Sequence, residues 1–253
     1  MILAYKNKKK IRAFAEGCGA VWASADDIQT NTLYPMIFSG VTTTLVKDQA
    51  LRHNLDYWYI DTGYFGNGKR KTYLRVTKNA YHNWYPIVDR PRDRLDEINL
   101  DLTPFQRGNR IMIVPPDHKV CDTHNLGDPE HWIQNIISII QQHTDREIIV
   151  RRRPESRTDR LVDDTFLNQL QQDINVVVTY TSNCAVESVM HDIPVISLGK
   201  SATVQICPGT IDQIDCVPAI DPELKESWLR HLSYSQFTEE QMRCGTAWDI
   251  LNK

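Results

Sequence analysis

Residues 176–199, VVVTYTSNCAVESVMHDIPVISLG, constrain the fold of this chain more than any other stretch. A β-branched run (176–180) leads into the polar turn Thr181, Ser182, Asn183. A short segment follows with apolar residues at Ala185, Val189 and Met190, and then a second apolar run at 194–198. This order predicts strand, turn, helix and strand, the strand-to-helix unit of an α/β sheet. Such a turn suits an anion, because the first N–H groups of the helix lack internal partners and the hydroxyls of Thr181 and Ser182 add donors. Helix capping by Ser182 or Asn183 explains the same residues without a ligand. Glu187 lies beyond the capping-box position counted from Asn183, so capping does not account for it.

The same alternation runs through the rest of the chain. Residues 2–5, 20–23, 36–39, 57–60 and 72–76 read as strands, and 8–16 and 42–54 as helices. Strand alternating with helix implies a mainly parallel sheet, whose ligands gather at the carboxyl ends of the strands. The loops beginning at Ser24, Gly40 and Asp61 then share one rim. Residues 90–110, rich in charge and without an apolar period, read as a linker. Beyond them, 110–114 and 147–150 read as strands, 130–143 and 163–172 as helices, 215–217 as a short strand and 222–232 as a helix. A last helix is expected over 239–251, opened by a capping box of Thr238 and Gln241.

Composition narrows the function. Hydrophobic residues at 41% with 24% charged are ordinary for a globular protein, and no apolar run reaches membrane-spanning length. The start MILAYKNKKK reverses the order of a secretory signal, so a cytoplasmic protein is expected, with no membrane partner. Six cysteines without a CxxC pair indicate neither a disulfide framework nor a Cys-rich zinc module. His118, Cys121, His124 and His131 match no common zinc spacing, and no metal site is expected. The net charge of −3 argues against indiscriminate nucleic-acid coating, but clumped cations at 6–12, 69–78, 90–94 and 151–160 can bind phosphates locally.

The pattern of strand, Thr-Ser, helix with an internal Glu and then aliphatic-Pro-Val-Ile resembles the second domain of two-domain GT-B glycosyltransferases, especially the bacterial capsule and wall-polymer transferases. The resemblance implies two Rossmann-like α/β domains with a cleft between them. Residues 1–95 would form the acceptor side and 108–253 the nucleotide-sugar domain, with a terminal helix packing back on the first. It implies that Thr181, Ser182 and Asn183 face the donor diphosphate and that Glu187 lies near the donor ribose or sugar. It also implies metal-independent transfer from a nucleotide-sugar, with no other cofactor. Those transferases carry Arg-Pro-His-Pro near residue 151, where this chain has Arg-Arg-Arg-Pro. The short chain with basic patches on both halves also resembles small phage-type transferases that place a sugar on hydroxymethylated bases in DNA.

Arg151 and Arg153 follow a predicted strand, and a guanidinium makes paired, charge-assisted hydrogen bonds to a diphosphate. His118 ends the preceding strand's loop and joins the donor-side candidates. For a base that deprotonates the acceptor hydroxyl, Asp61 and Asp26 follow strands of the first half, with His82 and His118 as weaker candidates. Lys69, Arg70, Arg75 and Lys78, interleaved with His82 and Trp84, could stack rings beside phosphate-binding cations on the acceptor side. Each aspartate also fits a turn or cap, and the aromatics fit a core. Other readings from the same residues are a glycan acceptor in place of DNA, a nucleotide-sugar epimerase, and a catalytically silent nucleotide-sugar or nucleic-acid binding module.

Overall fold

The computed structural model describes residues 1–6, 9–66, 72–152 and 165–252. The chain divides into two compact units, one of Met1–Asn83, Asp89–Leu100 and Leu229–Lys253, the other of Trp84–Val88 and Asp101–Trp228. The first unit contains β1 (Leu3–Tyr5), α1 (Lys9–Gly17), β2 (Val21–Ala23), α2 (Ala25–Thr30), β3 (Met36–Phe38), α3 (Thr44–His53), β4 (Tyr57–Thr62), β5 (Tyr73–Lys78) and α4 (Asp93–Asp96). The second contains β6 (Arg110–Val114), α5 (His118–His124), α6 (Pro129–Ile140), β7 (Ile148–Val150), α7 (Phe166–Leu170), β8 (Ile174–Thr179), α8 (Cys184–Met190) and β9 (Val195–Ser197). After α9 (Pro222–Ser233), the elements β10 (Gln236–Thr238), α10 (Glu239–Arg243) and α11 (Thr246–Leu251) return to the first unit.

In the first unit the sheet order is β10-β5-β4-β3-β1-β2. β2, β1, β3 and β4 are parallel, β5 runs antiparallel to β4, and β10 antiparallel to β5. Alternation along the strands sends Trp58 and Ile60 into a core with Ile11 and Phe14, and Tyr57 and Tyr59 into another with Ile28 and Val46. Both faces are thus covered by helices, as parallel strands require. The second unit has the all-parallel order β7-β6-β8-β9, with Ile111, Ile113, Val176 and Val178 packed on Trp132, Ile133 and Ile136 of α6. Strand order reverses between β1 and β3 and between β6 and β8. Crevices for ligands open at such points beyond the carboxyl ends.

Several expectations need correction. Residues 90–110, read as a linker, contain the boundary between the two units at Leu100 and Asp101 and also hold α4. Arg94 of that helix is buried, its Nε donating to the Ser233 carbonyl at 3.1 Å and its Nη2 to the Gln236 carbonyl at 2.7 Å. Residues 215–217 form no strand; a short 3-10 turn, Ile211–Gln213, precedes them. The capping box of Thr238 and Gln241 is present, but the helix it opens is split into α10 and α11 at Gly245, whose φ is 88°. Helices α2 and α5 and strand β10 were not anticipated.

Candidate functional site

The rim of the second unit is set by strand register. Ile113 pairs with Val150, Val114 with Thr179, and Thr179 with Ser197, so the loops after β6, β7, β8 and β9 leave the same edge. The Thr179 hydroxyl donates to the Val114 carbonyl at 2.7 Å and ties two strand ends together. Gly199 N–H donates to the Tyr180 carbonyl at 3.0 Å. A Cβ on Gly199 would fall 2.8 Å from Thr181 Cγ2 and 2.9 Å from Tyr180 Cζ, so a larger residue there has to push one of those side chains aside. Ser182 Oγ accepts from Cys184 N–H at 3.2 Å, a local turn that aims the chain into α8. Asn183 occupies the cap position with helical φ of −63° and makes no side-chain cap bond.

Arg151 and Glu187 meet at this rim electrostatically. Burial pushes the Glu187 carboxyl up, and the Arg151 guanidinium opposes that shift. No described side chain hydrogen-bonds or ion-pairs with Glu187. Arg151 lies 5.2 Å from the centroid of Phe166, and its buried Nε has no hydrogen-bond partner among the described residues. Burial with Glu187 nearby raises the Cys184 thiol to about 11, which leaves it protonated and unreactive at neutral pH. Arg152 turns away into a two-pronged pair with Glu130, at 2.8 and 2.6 Å. Arg153 lies outside the described residues. His118 is exposed as the first residue of α5, whose cap Asp117 accepts from Val120 N–H at 3.0 Å.

The first unit disposes of its candidates differently. Burial alone would raise the Asp61 carboxyl, yet Arg75 and Lys10 hold it well below the usual carboxylate range. Its oxygens take Lys10 Nζ at 2.5 Å, Tyr59 Oη at 3.0 Å and Thr62 N–H at 2.8 Å. A carboxylate so tied is a weak base. Asp26 is exposed in the first turn of α2, beside the Ser24 and Asp27 capping box, and makes no ion pair with a described residue.

Arg75 is not a surface cation. It is buried, donating to the carbonyls of Tyr81 at 3.1 Å and Thr62 at 2.9 Å. Lys78 pairs with Asp56 at 2.7 Å, and His82 is buried near Tyr64. Lys69 and Arg70 lie outside the described residues. Trp84 falls in the second unit, with Lys200 Nζ 4.3 Å from its ring centroid. Sequence reasoning passed over Gly199, Lys200 and the hydroxyls of Ser197, Ser201 and Thr203, all in SLGKSAT, which reads as strand end and plain loop. Among the described residues no three His, Cys, Asp or Glu side chains are grouped to hold a metal ion. No helix there is long and apolar enough to cross a membrane.

No family model and no curated protein sequence matches the chain. Among solved structures it is similar to the beta Kdo 2,7 transferase of Thermosulfurimonas dismutans KpsC, with a TM-score of 0.53 and 13% identity over 99% of this chain and 98% of that one. The beta Kdo 2,4 transferase of the same protein matches with a TM-score of 0.48 and 13% identity, over 91% and 89% of the two chains. The first of these likenesses runs nearly end to end and shows a shared fold.

Proposed function

We propose that the chain is a glycosyltransferase that takes a sugar from a nucleotide-sugar held at the rim of the second unit and passes it to a glycan hydroxyl. The observation that carries this reading is the placement of Arg151 and Glu187 beside the Thr181 and Ser182 turn at the strand carboxyl ends. A fold shared with a protein named as a Kdo transferase supports it. In this reading Arg151, Thr181, Ser182 and Asn183 meet the leaving phosphate, with His118 flanking them. Glu187 accepts from donor hydroxyls, which suits a carboxyl that no described side chain hydrogen-bonds or ion-pairs. The acceptor oxygen bonds to the anomeric carbon as the bond from that carbon to the phosphate oxygen breaks. The nucleotide leaves with the electron pair, and the acceptor proton passes to a general base. Asp26, which pairs with no described cation, suits that task better than Asp61, whose carboxylate Arg75 and Lys10 hold.

Hydroxymethylated DNA is the less favoured acceptor. Of the cations that would track its phosphates, Arg75 is buried and Lys78 is ion-paired. The test is turnover of a panel of nucleotide sugars, a Kdo donor among them, with glycans, hydroxymethylcytosine DNA and plain DNA as acceptors. Glycan-dependent nucleotide release is expected, and Arg151→Ala should lower kcat/KM by about 100-fold. Transfer to hydroxymethylated DNA alone would replace the acceptor. Sugar interconversion without acceptor would make the protein an epimerase, and no turnover of any donor would leave a binding module.

A further inference from the structure

Lys200 stands at the same rim with its head group uncommitted. The residue before it, Gly199, is wedged against Thr181 and Tyr180, and the residue after it, Ser201, donates its N–H to the Gly199 carbonyl at 2.8 Å. Ser201 is also fixed from below. Its buried hydroxyl closes a ring with Ser197 and Thr203, with oxygen separations of 2.8, 2.8 and 2.9 Å. The Lys200 side chain is exposed, and no described carboxylate pairs with it. Its ammonium instead lies 4.3 Å from the Trp84 ring centroid. Trp84 is itself held, stacked on Tyr85 at 5.0 Å with its carbonyl accepting from Gln205 Nε2 at 3.1 Å.

A cation over an aromatic face is oriented by the ring quadrupole while its N–H donors stay available. β9 neighbours β8, and adjacent strands stand about 4.8 Å apart, within the reach of a lysine side chain. An ammonium at the β9 loop can therefore serve an anion seated over the Thr181 and Ser182 turn. Arg151 approaches that turn from the other side, two strands away through β6. We infer that Lys200 is a second phosphate-binding cation of the donor site and that Trp84 is its positioning residue. This rests on the reading of the rim as a nucleotide-sugar site. It also moves Trp84 from the acceptor side to the donor side of the chemistry.

The experiment is calorimetric titration of the full chain with CMP, UDP and GDP, first on the wild type and then on variants of matched melting temperature. Wild-type binding of at least one nucleotide is expected. Lys200→Met keeps the stem on Trp84 and removes the charge, and should weaken that nucleotide about tenfold, whereas Lys200→Arg should restore it. Trp84→Leu should give a smaller loss, about threefold, with the salt dependence of binding retained. Unchanged affinity in Lys200→Met overturns the inference and leaves the rim reading standing. Equal losses in the Met and Arg variants overturn it too, since packing and not charge would then be at stake. No nucleotide binding by the wild type overturns the rim reading itself, and this inference with it.

Discussion

Arg151 and Arg152 are neighbours with opposite surroundings. Arg152 is engaged by Glu130, whereas Arg151 sits over Phe166 with an Nε that meets no partner among the described residues, and acts electrostatically on the raised carboxyl of Glu187. Arg75 and Arg94 show a third fate, burial against backbone carbonyls, to which Arg75 adds an ion pair with Asp61 at 3.6 Å. His231 carries a pH consequence of the same kind. Burial, with the nearby Arg90, depresses its imidazole to about 4. A depressed folded pKa means that the unfolded chain binds the proton first, so the stability contributed is complete above about pH 6.5 and is lost as pH falls toward 4. Urea unfolding should show a loss of about 2 kcal/mol from pH 6.5 to 4.5 in the wild type and a shallower slope in His231→Gln. Parallel slopes would mean that His231 is not the group responsible. Asp61 acts in a separate window. Its contribution is present above about pH 4 and disappears on further acidification, so Asp61→Asn should flatten only that lower part.

Elements whose identity rests on apolar period were legible from sequence, and those that rest on partners were not. β6 and β8 are β-branched runs buried on both faces, and a run of that kind between turn residues reads as a strand. β10 is QFT, too short for any period, and becomes a strand because Phe237 and its neighbours pair with Tyr73, Leu74 and Arg75. α4 is DRLD, and its ordering comes from the carbonyls that take Arg94, which no periodicity reports. The rim was half legible. The strand-to-helix turn announced Thr181 and Ser182, whereas the meeting of Lys200 with Trp84 joins loops remote in sequence. Two glycines separate rim geometry from stability. Gly245→Ala places a Cβ at φ 88° in the break between α10 and α11, and should cost about 1 kcal/mol in melting experiments with little effect on nucleotide binding. Gly199→Ala has no such backbone demand but must displace the Thr181 or Tyr180 side chain at the hydroxyl turn. It should weaken nucleotide binding more than it lowers the melting temperature. The reverse pattern would show that the close contact serves the fold alone.

At the scale of the molecule, the first unit is discontinuous, completed by the last residues of the chain. Phe237 and Met242 are fully buried in the core that holds Ile11, Phe14, Trp58 and Ile60, and Ala247 lies with them. Burying a side chain such as Phe or Met is worth about 2–3 kcal/mol, and domains are stable by only about 5–15 kcal/mol, so losing both, with β10, removes a large part of the margin. Without β10, the backbone of β5 also becomes an open sheet edge. The second unit draws no residue from beyond Trp228, and its core of Ile111, Ile113, Val176 and Val178 on α6 is unaffected by such a cut. A chain ending at Trp228 should therefore show fast hydrogen exchange at Trp58, Ile60 and Val76 while Met112, Ile113, Val177 and Val178 stay protected. Continued protection of β4 and β5 in the shortened chain would mean that the first sheet is stable without its sixth strand. Loss of protection in both units would mean that the second unit does not hold its structure without the first, and that nucleotide binding at the rim has to be measured on the full chain.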